Sequence, residues 1–228
     1  MAKGAATRKQ LLKEPDQFIT FSGKLIAFGR SNLKTILIST GILLALLIVV
    51  VTVRQISHRN ENRASERVEK AVAKYSAALQ DTNPKTAYDR IKTDFDEIFD
   101  VYGSKNAVKI ARIIYGDISY KAGDADTAIA MYTKALDDFN QSPALKNIVL
   151  SGLGYAFVLK KELPQSIRYF EMISADKENT MKSGALFNLA WLYEETGEKE
   201  KAASLYKQLL TDFPESMYSD LVREKVSG

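Results

Sequence analysis

The sequence predicts an all-α protein: an N-terminal transmembrane helix followed by an α-solenoid of three to four helix pairs with a capping helix. Three observations predict it. Residues 35–53 pass without a charged side chain. From residue 63 to the end, apolar residues recur with helical period and no alternating strand pattern of useful length appears. Within that stretch, equivalent small residues at Ala128, Ser166 and Ala202 are spaced 38 and 36 residues apart.

Composition agrees. The apolar share of 46% and charged share of 26% are those of a folded chain, and only five prolines and twelve glycines interrupt 228 residues. There is no cysteine, which excludes disulfides, thiolate metal sites and a cysteine nucleophile. The single histidine, His58, follows the apolar run and reads as an interfacial polar residue; a zinc centre would need several ligands together. No cofactor, metal or catalytic residue is expected.

The first element, residues 1–34, is a basic tail. Lys3, Arg8, Lys9, Lys13, Lys24, Arg30 and Lys34 stand against Glu14 and Asp16, a net of +5. Phe18, Phe21, Leu25 and Phe28 fall on one helical face, so the end of the tail reads as an amphipathic helix on the cytoplasmic leaflet.

The second element, residues 35–53, is TILISTGILLALLIVVVTV. At helical rise it spans about 28 Å, close to the hydrocarbon thickness of a bilayer. Its Thr35, Ser39, Thr40 and Thr52 hydroxyls can bond to the helix's own carbonyls. The segment has no polar stripe, unlike a buried core helix. The charged leader is too long for a cleaved signal peptide and no A-x-A site follows, so an uncleaved signal anchor is expected. Seven basic residues precede the span; Arg54, Arg59, Arg63, Arg67 and Lys70 follow it. That bias favours a cytoplasmic N-terminus and a C-terminal part across the membrane.

Residues 54–67 read as a polar juxtamembrane linker or helix start. Residues 54–228 carry 25 basic against 26 acidic groups, so no basic face for nucleic acid is expected.

The last element, residues 68–228, is the repeat domain. Its clearest copy is Ser183–Pro214, with Leu186, Leu189, Ala190 and Tyr193 in a first helix, Gly197 in a turn, Ala202 and Tyr206 in a second helix, and Pro214 at the close. Lys109–Asn140 repeats it through Gly116, Gly123, Ala128, Tyr132 and Ala135. Asn147–Glu178 is degenerate: Ser166 replaces Ala, Phe170 follows, and the turn KKELPQ lacks glycine. Residues 68–103 read as a worn fourth pair, and Ser216–Gly228 as a cap. This pattern resembles the tetratricopeptide repeat. Gly116, Gly154 and Ala190 should let paired helices approach closely, and Tyr132, Phe170 and Tyr206 should fill the space between repeats.

In that register the groove is lined by the first helix of each repeat: Ile113, Asp117 and Tyr120; Ser151, Tyr155 and Val158; Phe187, Trp191 and Glu194. Exposed aromatics there would be binding anchors. The Lys and Asn set with which relatives clamp a terminal carboxylate is lacking, so apolar or helical ligands are expected.

Basic tail, single anchor and repeats in this order resemble the YfgM-like family, ancillary subunits of the Sec translocon. The resemblance implies a non-enzymatic, membrane-embedded scaffold in a bacterial inner membrane. Its partners would be Sec translocon subunits, periplasmic chaperones or exported chains. The alternative reading is a self-associating assembly protein of the cell envelope or division complex. No catalytic motif is found: Gly152-Leu153-Gly154 lacks the preceding strand and third glycine of a phosphate loop, and neighbouring carboxylates point to different helix faces.

Overall fold

The structure, a computed structural model, describes residues 17–175 and 180–227. The tail residues Lys3, Arg8, Lys9 and Lys13 lie outside them. The fold is all-α, with no strand among the described residues. The chain divides into two units, one ending at His58 and one beginning at Arg59.

In the first unit, α1 (Gln17–Ser31) and α2 (Leu33–Asp81) are separated only by Asn32. The Asn32 N–H and side-chain amide both donate to the Phe28 carbonyl, so hydrogen bonding carries across the junction. Phe21, Leu25 and Phe28 of α1 are exposed. The apolar part of α2 is a candidate membrane span, none of it buried. Its polar residues need partners if no water is at hand; Thr52 donates to the Ile48 carbonyl at 2.8 Å.

α2 continues through residues 54–67, where the sequence changes from apolar to amphipathic. Ala64, Val68, Ala71, Tyr75 and Ala78 form its buried stripe. They pack with Ala87, Tyr88, Ile91, Phe95 and Ile98 of α3 (Pro84–Tyr102) and with Val108, Ala111, Tyr115 and Ile118 of α4 (Asn106–Lys121). Tyr115 stacks on Phe95 at 4.5 Å and on Tyr88 at 5.7 Å. The end of α2, α3 and α4 thus share one apolar cluster.

Three helix pairs follow in order: α4 with α5 (Ala125–Asp138), α6 (Pro143–Leu159) with α7 (Leu163–Ser174), and α8 (Lys182–Glu195) with α9 (Lys199–Asp212). α10 (Ser219–Ser227) closes the array, burying Val222 against the last pair. Each helix packs on the next, as an array that cannot bury an isolated pair must.

Small residues set the close approaches. A Cβ on Gly116 would lie 2.8 Å from the Tyr132 ring, and one on Gly154 would lie 2.6 Å from the Phe170 ring. Ala128, Ser166 and Ala202 are buried at equivalent positions of the second helices. The buried Ser166 hydroxyl is satisfied by the Gly154 carbonyl at 2.9 Å.

The turns inside the three repeats share one geometry. Gly123 and Gly197 both sit at φ 84°, and each turn carries the paired backbone bonds of a helix ending in a left-handed residue. The turn without glycine places Lys161 at φ 64° with the same two bonds, Lys161 N–H to Val158 and Glu162 N–H to Phe157. A left-handed non-glycine residue costs about 1–2 kcal/mol.

Caps fix where helices begin. Asn83 accepts from the Thr86 N–H at the start of α3, with Pro84 in the first turn. Asp124 accepts from the Thr127 N–H at the start of α5 and also takes the Tyr88 hydroxyl at 2.8 Å. Burial would raise the Asp124 carboxyl, but the bonds from Thr127 and Tyr88 outweigh it and hold the group below the usual carboxylate range. α4 has no capping side chain of its own. Glu61, on α2, supplies it, accepting from the Asn106 and Ala107 N–H groups at 3.2 and 2.7 Å.

Candidate protein-binding groove

The first helices of the repeats, α4, α6 and α8, carry every groove position expected from the sequence. The structure separates those positions into three kinds.

Ile113 is a core residue. It is 8% exposed, packed with Ala128, Tyr132, Val149 and Leu153, so it is corrected from ligand contact to packing. Val158 and Trp191 are half-buried and pack against the core of the last repeats.

Asp117 and Glu194 are tied to phenols. The Tyr132 hydroxyl donates to Asp117, and the Tyr206 hydroxyl donates to Glu194 at 2.8 Å. Burial pushes both tyrosine hydroxyls well up, and the carboxylates push them further. Glu194 also receives Lys225 of α10 at 2.6 Å. Burial would raise the Glu194 carboxyl; the Lys225 and Tyr206 hydrogen bonds prevail and hold it below 4.5. Phe187 is likewise engaged: Tyr218, just before α10, stacks on it with ring centroids 4.7 Å apart. The cap therefore occupies the last repeat's share of the groove.

Tyr120, Tyr155 and Ser151 remain open. Tyr120 and Tyr155 are 37% and 36% exposed, with ring centroids 6.3 Å apart. Tyr155 meets Phe170 edge-on at 5.3 Å, which fixes its ring without covering its outer face. Its hydroxyl accepts from the Asn188 amide at 3.0 Å, and that amide also donates to the Gly184 carbonyl. The Asn188 amide thus ties α8 to the Tyr155 hydroxyl at the edge of the groove. Beneath them lies a cavity of about 430 Å³ whose wall includes Ser151, Tyr155, Gly184, Asn188, Met217 and Tyr218.

Sequence reasoning missed several of these. Asn188 and Gly184 sit one turn apart on α8, facing Tyr155, and were hidden because their register counterparts differ between repeats. Met217 is 86% exposed and Tyr218 lies outside the repeat pattern. Ile148 and Leu159 are exposed and lie seven residues before and four after Tyr155, on its helical face. Their spacing was a readable signal. Among the described residues no three His, Cys, Asp or Glu side chains gather to hold a metal ion. The arrangement offers apolar area, one hydrogen-bonding pair and no nucleophile with a base.

Residues 116–180 match a tetratricopeptide repeat family, and residues 184–216 match a second family of the same repeat. No curated protein matches the chain. With the recurrent ring-on-glycine contacts and left-handed turns, these matches make residues 116–216 of the chain an array of tetratricopeptide repeats.

Proposed function

We propose that the chain is a membrane-anchored, non-enzymatic scaffold that holds an apolar or helical segment of a partner protein against Tyr120, Tyr155 and Asn188. The observation that carries this reading is exposed Tyr155, which lines the 430 Å³ cavity and has Tyr120 beside it, next to a repeat whose other groove residues are engaged internally. Rigid aromatics bury much area at low entropic cost and commonly dominate binding energy. The Tyr155 and Asn188 pair adds polar groups that can bond to a ligand's backbone.

In the finer reading, residues 35–53 span a bacterial inner membrane, the N-terminus is cytoplasmic and the repeats are periplasmic. The flanking charge bias supports that orientation. The partners are then Sec translocon subunits, periplasmic chaperones or chains in export, as the likeness to the YfgM-like family implies.

A photocrosslinking residue at position 155 in cells tests the groove, with one at Lys199, exposed at the start of α9, as control. Adducts to protein at 155 and not at 199 are expected; equal adducts at both would sink the groove reading. Adducts lacking every translocon subunit, chaperone and exported chain would sink only the finer one. A phosphatase reporter after Gly228 tests the orientation, and activity outside the cytoplasm is expected.

A further inference from the structure

The opposite end of the array carries a second surface. α2 and α3 alone line a cleft of about 360 Å³. One wall is basic, from Arg67, Lys70 and Lys74 of α2; the other is acidic, from Asp94 and Glu97 of α3. Between them Ala71 and Ile98, both buried, form the floor, and Val101 and Tyr102 form an apolar lip. Val101 is 69% exposed, high for a branched apolar residue at the lip of a cleft. The far end of the array is covered by α10; no helix covers this cleft among the described residues.

We infer that this face is a dimer interface, and that its occupant is the same face of a second copy of the chain. The charge pattern selects the occupant. A uniformly acidic partner would satisfy the α2 wall and be repelled by the α3 wall; a uniformly basic one would do the reverse. A second copy related by a two-fold axis parallel to the helices sets α2 over α3 and α3 over α2. The Lys74 to Asp94 pair at 2.7 Å fixes the antiparallel register, which brings Arg67 and Lys70 of each copy opposite Glu97 of the other. Arg67 and Glu97 make no ion pair among the described residues, although they line the same cleft. Val101 and Tyr102 add the apolar contact.

The size is adequate. Two helices roughly 30 Å long and about 10 Å apart offer ~600 Å² per copy, at the low end of specific interfaces. Such an interface is weak and reversible, and screened by salt.

The test uses full-length protein in detergent micelles, with mass followed by light scattering across concentration. The wild type is expected to pass reversibly from monomer to dimer, and a monomer at every concentration overturns the inference. Glu97→Lys sets a cation opposite Arg67 and Lys70 of the other copy; Arg67→Glu with Lys70→Glu sets two carboxylates opposite its Glu97. Each variant alone is expected to self-associate at least about tenfold more weakly. Mixed one to one, they are expected to form a heterodimer as readily as the wild type pairs with itself. A dimer that persists equally in wild type and both variants lies elsewhere and overturns the assignment. So does loss in both variants without recovery on mixing, when circular dichroism shows both folded.

Discussion

The middle repeat, α6 with α7, and the repeats on either side of it reach the same packing from different residues. The flanking repeats turn on Gly123 and Gly197, bury Ala128 and Ala202, and tie the phenols of Tyr132 and Tyr206 to groove carboxylates. The middle repeat turns on Lys161, buries Ser166 and places Phe170, which has no hydroxyl to tie anything. Its ring position is kept by shape alone, against the bare backbone of Gly154. What is lost is an internal polar contact on the groove side, and one of the two open tyrosines, Tyr155, stands in that repeat. Local rules of a fold are most often broken where binding needs a surface left free.

If shape alone holds the middle repeat, Phe170→Ala should be the most damaging change, with a loss of about 3–5 kcal/mol in urea denaturation. The chain's one tryptophan, Trp191, lies in the next repeat and should report the loss through its fluorescence. A loss below that of Tyr132→Ala by more than about 2 kcal/mol would show that the phenol bond, not the ring, sets repeat stability.

Gly154→Ala sharpens the same point. Alanine usually gains about 1 kcal/mol over glycine inside a helix. Here the added methyl meets the Phe170 ring at 2.6 Å, so a net loss of about 1–3 kcal/mol is expected.

The turn gives a change of opposite sign. Lys161→Gly removes the left-handed strain and should raise stability by about 1 kcal/mol, after the entropy glycine adds to the unfolded chain. The same measurement on Gly197→Ala should give a loss of similar size, since its φ of 84° is equally left-handed. Equal effects of one sign would break the equivalence of the turns.

Ser166→Ala should be nearly neutral, within about 1 kcal/mol, because the Gly154 carbonyl keeps its bond within α6 when the hydroxyl goes. The smallest effect concerns acid. Glu194 titrates below its ordinary 4.5 when folded, so its pairing stabilises above pH 4.5 and is lost as pH falls through the lower, folded value. The α10 contact is half-exposed, so the loss is small. Trp191 fluorescence should change below pH 4.5, and Glu194→Gln should flatten that change.

The repeats were legible because their signals are local: Gly197, Ala202 and Tyr206 fall within ten residues. Residues 68–103 were legible as helical, but not that α2 runs unbroken into them, since residues 54–67 read equally as a linker or as a helix start. Contacts between distant residues were not legible at all. Glu61 caps a helix that starts 45 residues later, and Lys225 reaches Glu194 from the cap. In the groove, register put the expected positions on α4, α6 and α8, where Tyr120 and Tyr155 are exposed. It misplaced Ile113, because register fixes a residue's direction and not what neighbouring helices cover.

The Tyr132 ring is clasped from two sides. A Cβ at Gly116 of its own repeat would approach to 2.8 Å, and one at Gly152 of the next repeat to 2.6 Å. In register, the last repeat has Asn188 where the middle one has Gly152. The joint is thus keyed like a lock. A duplicated or shuffled copy of the last module, placed directly after α5, would drive the Asn188 side chain into that ring. These modules look alike in sequence, yet the last cannot stand directly after α5 unless the Tyr132 ring gives way, and the glycine at this joint must travel with the module that follows Tyr132.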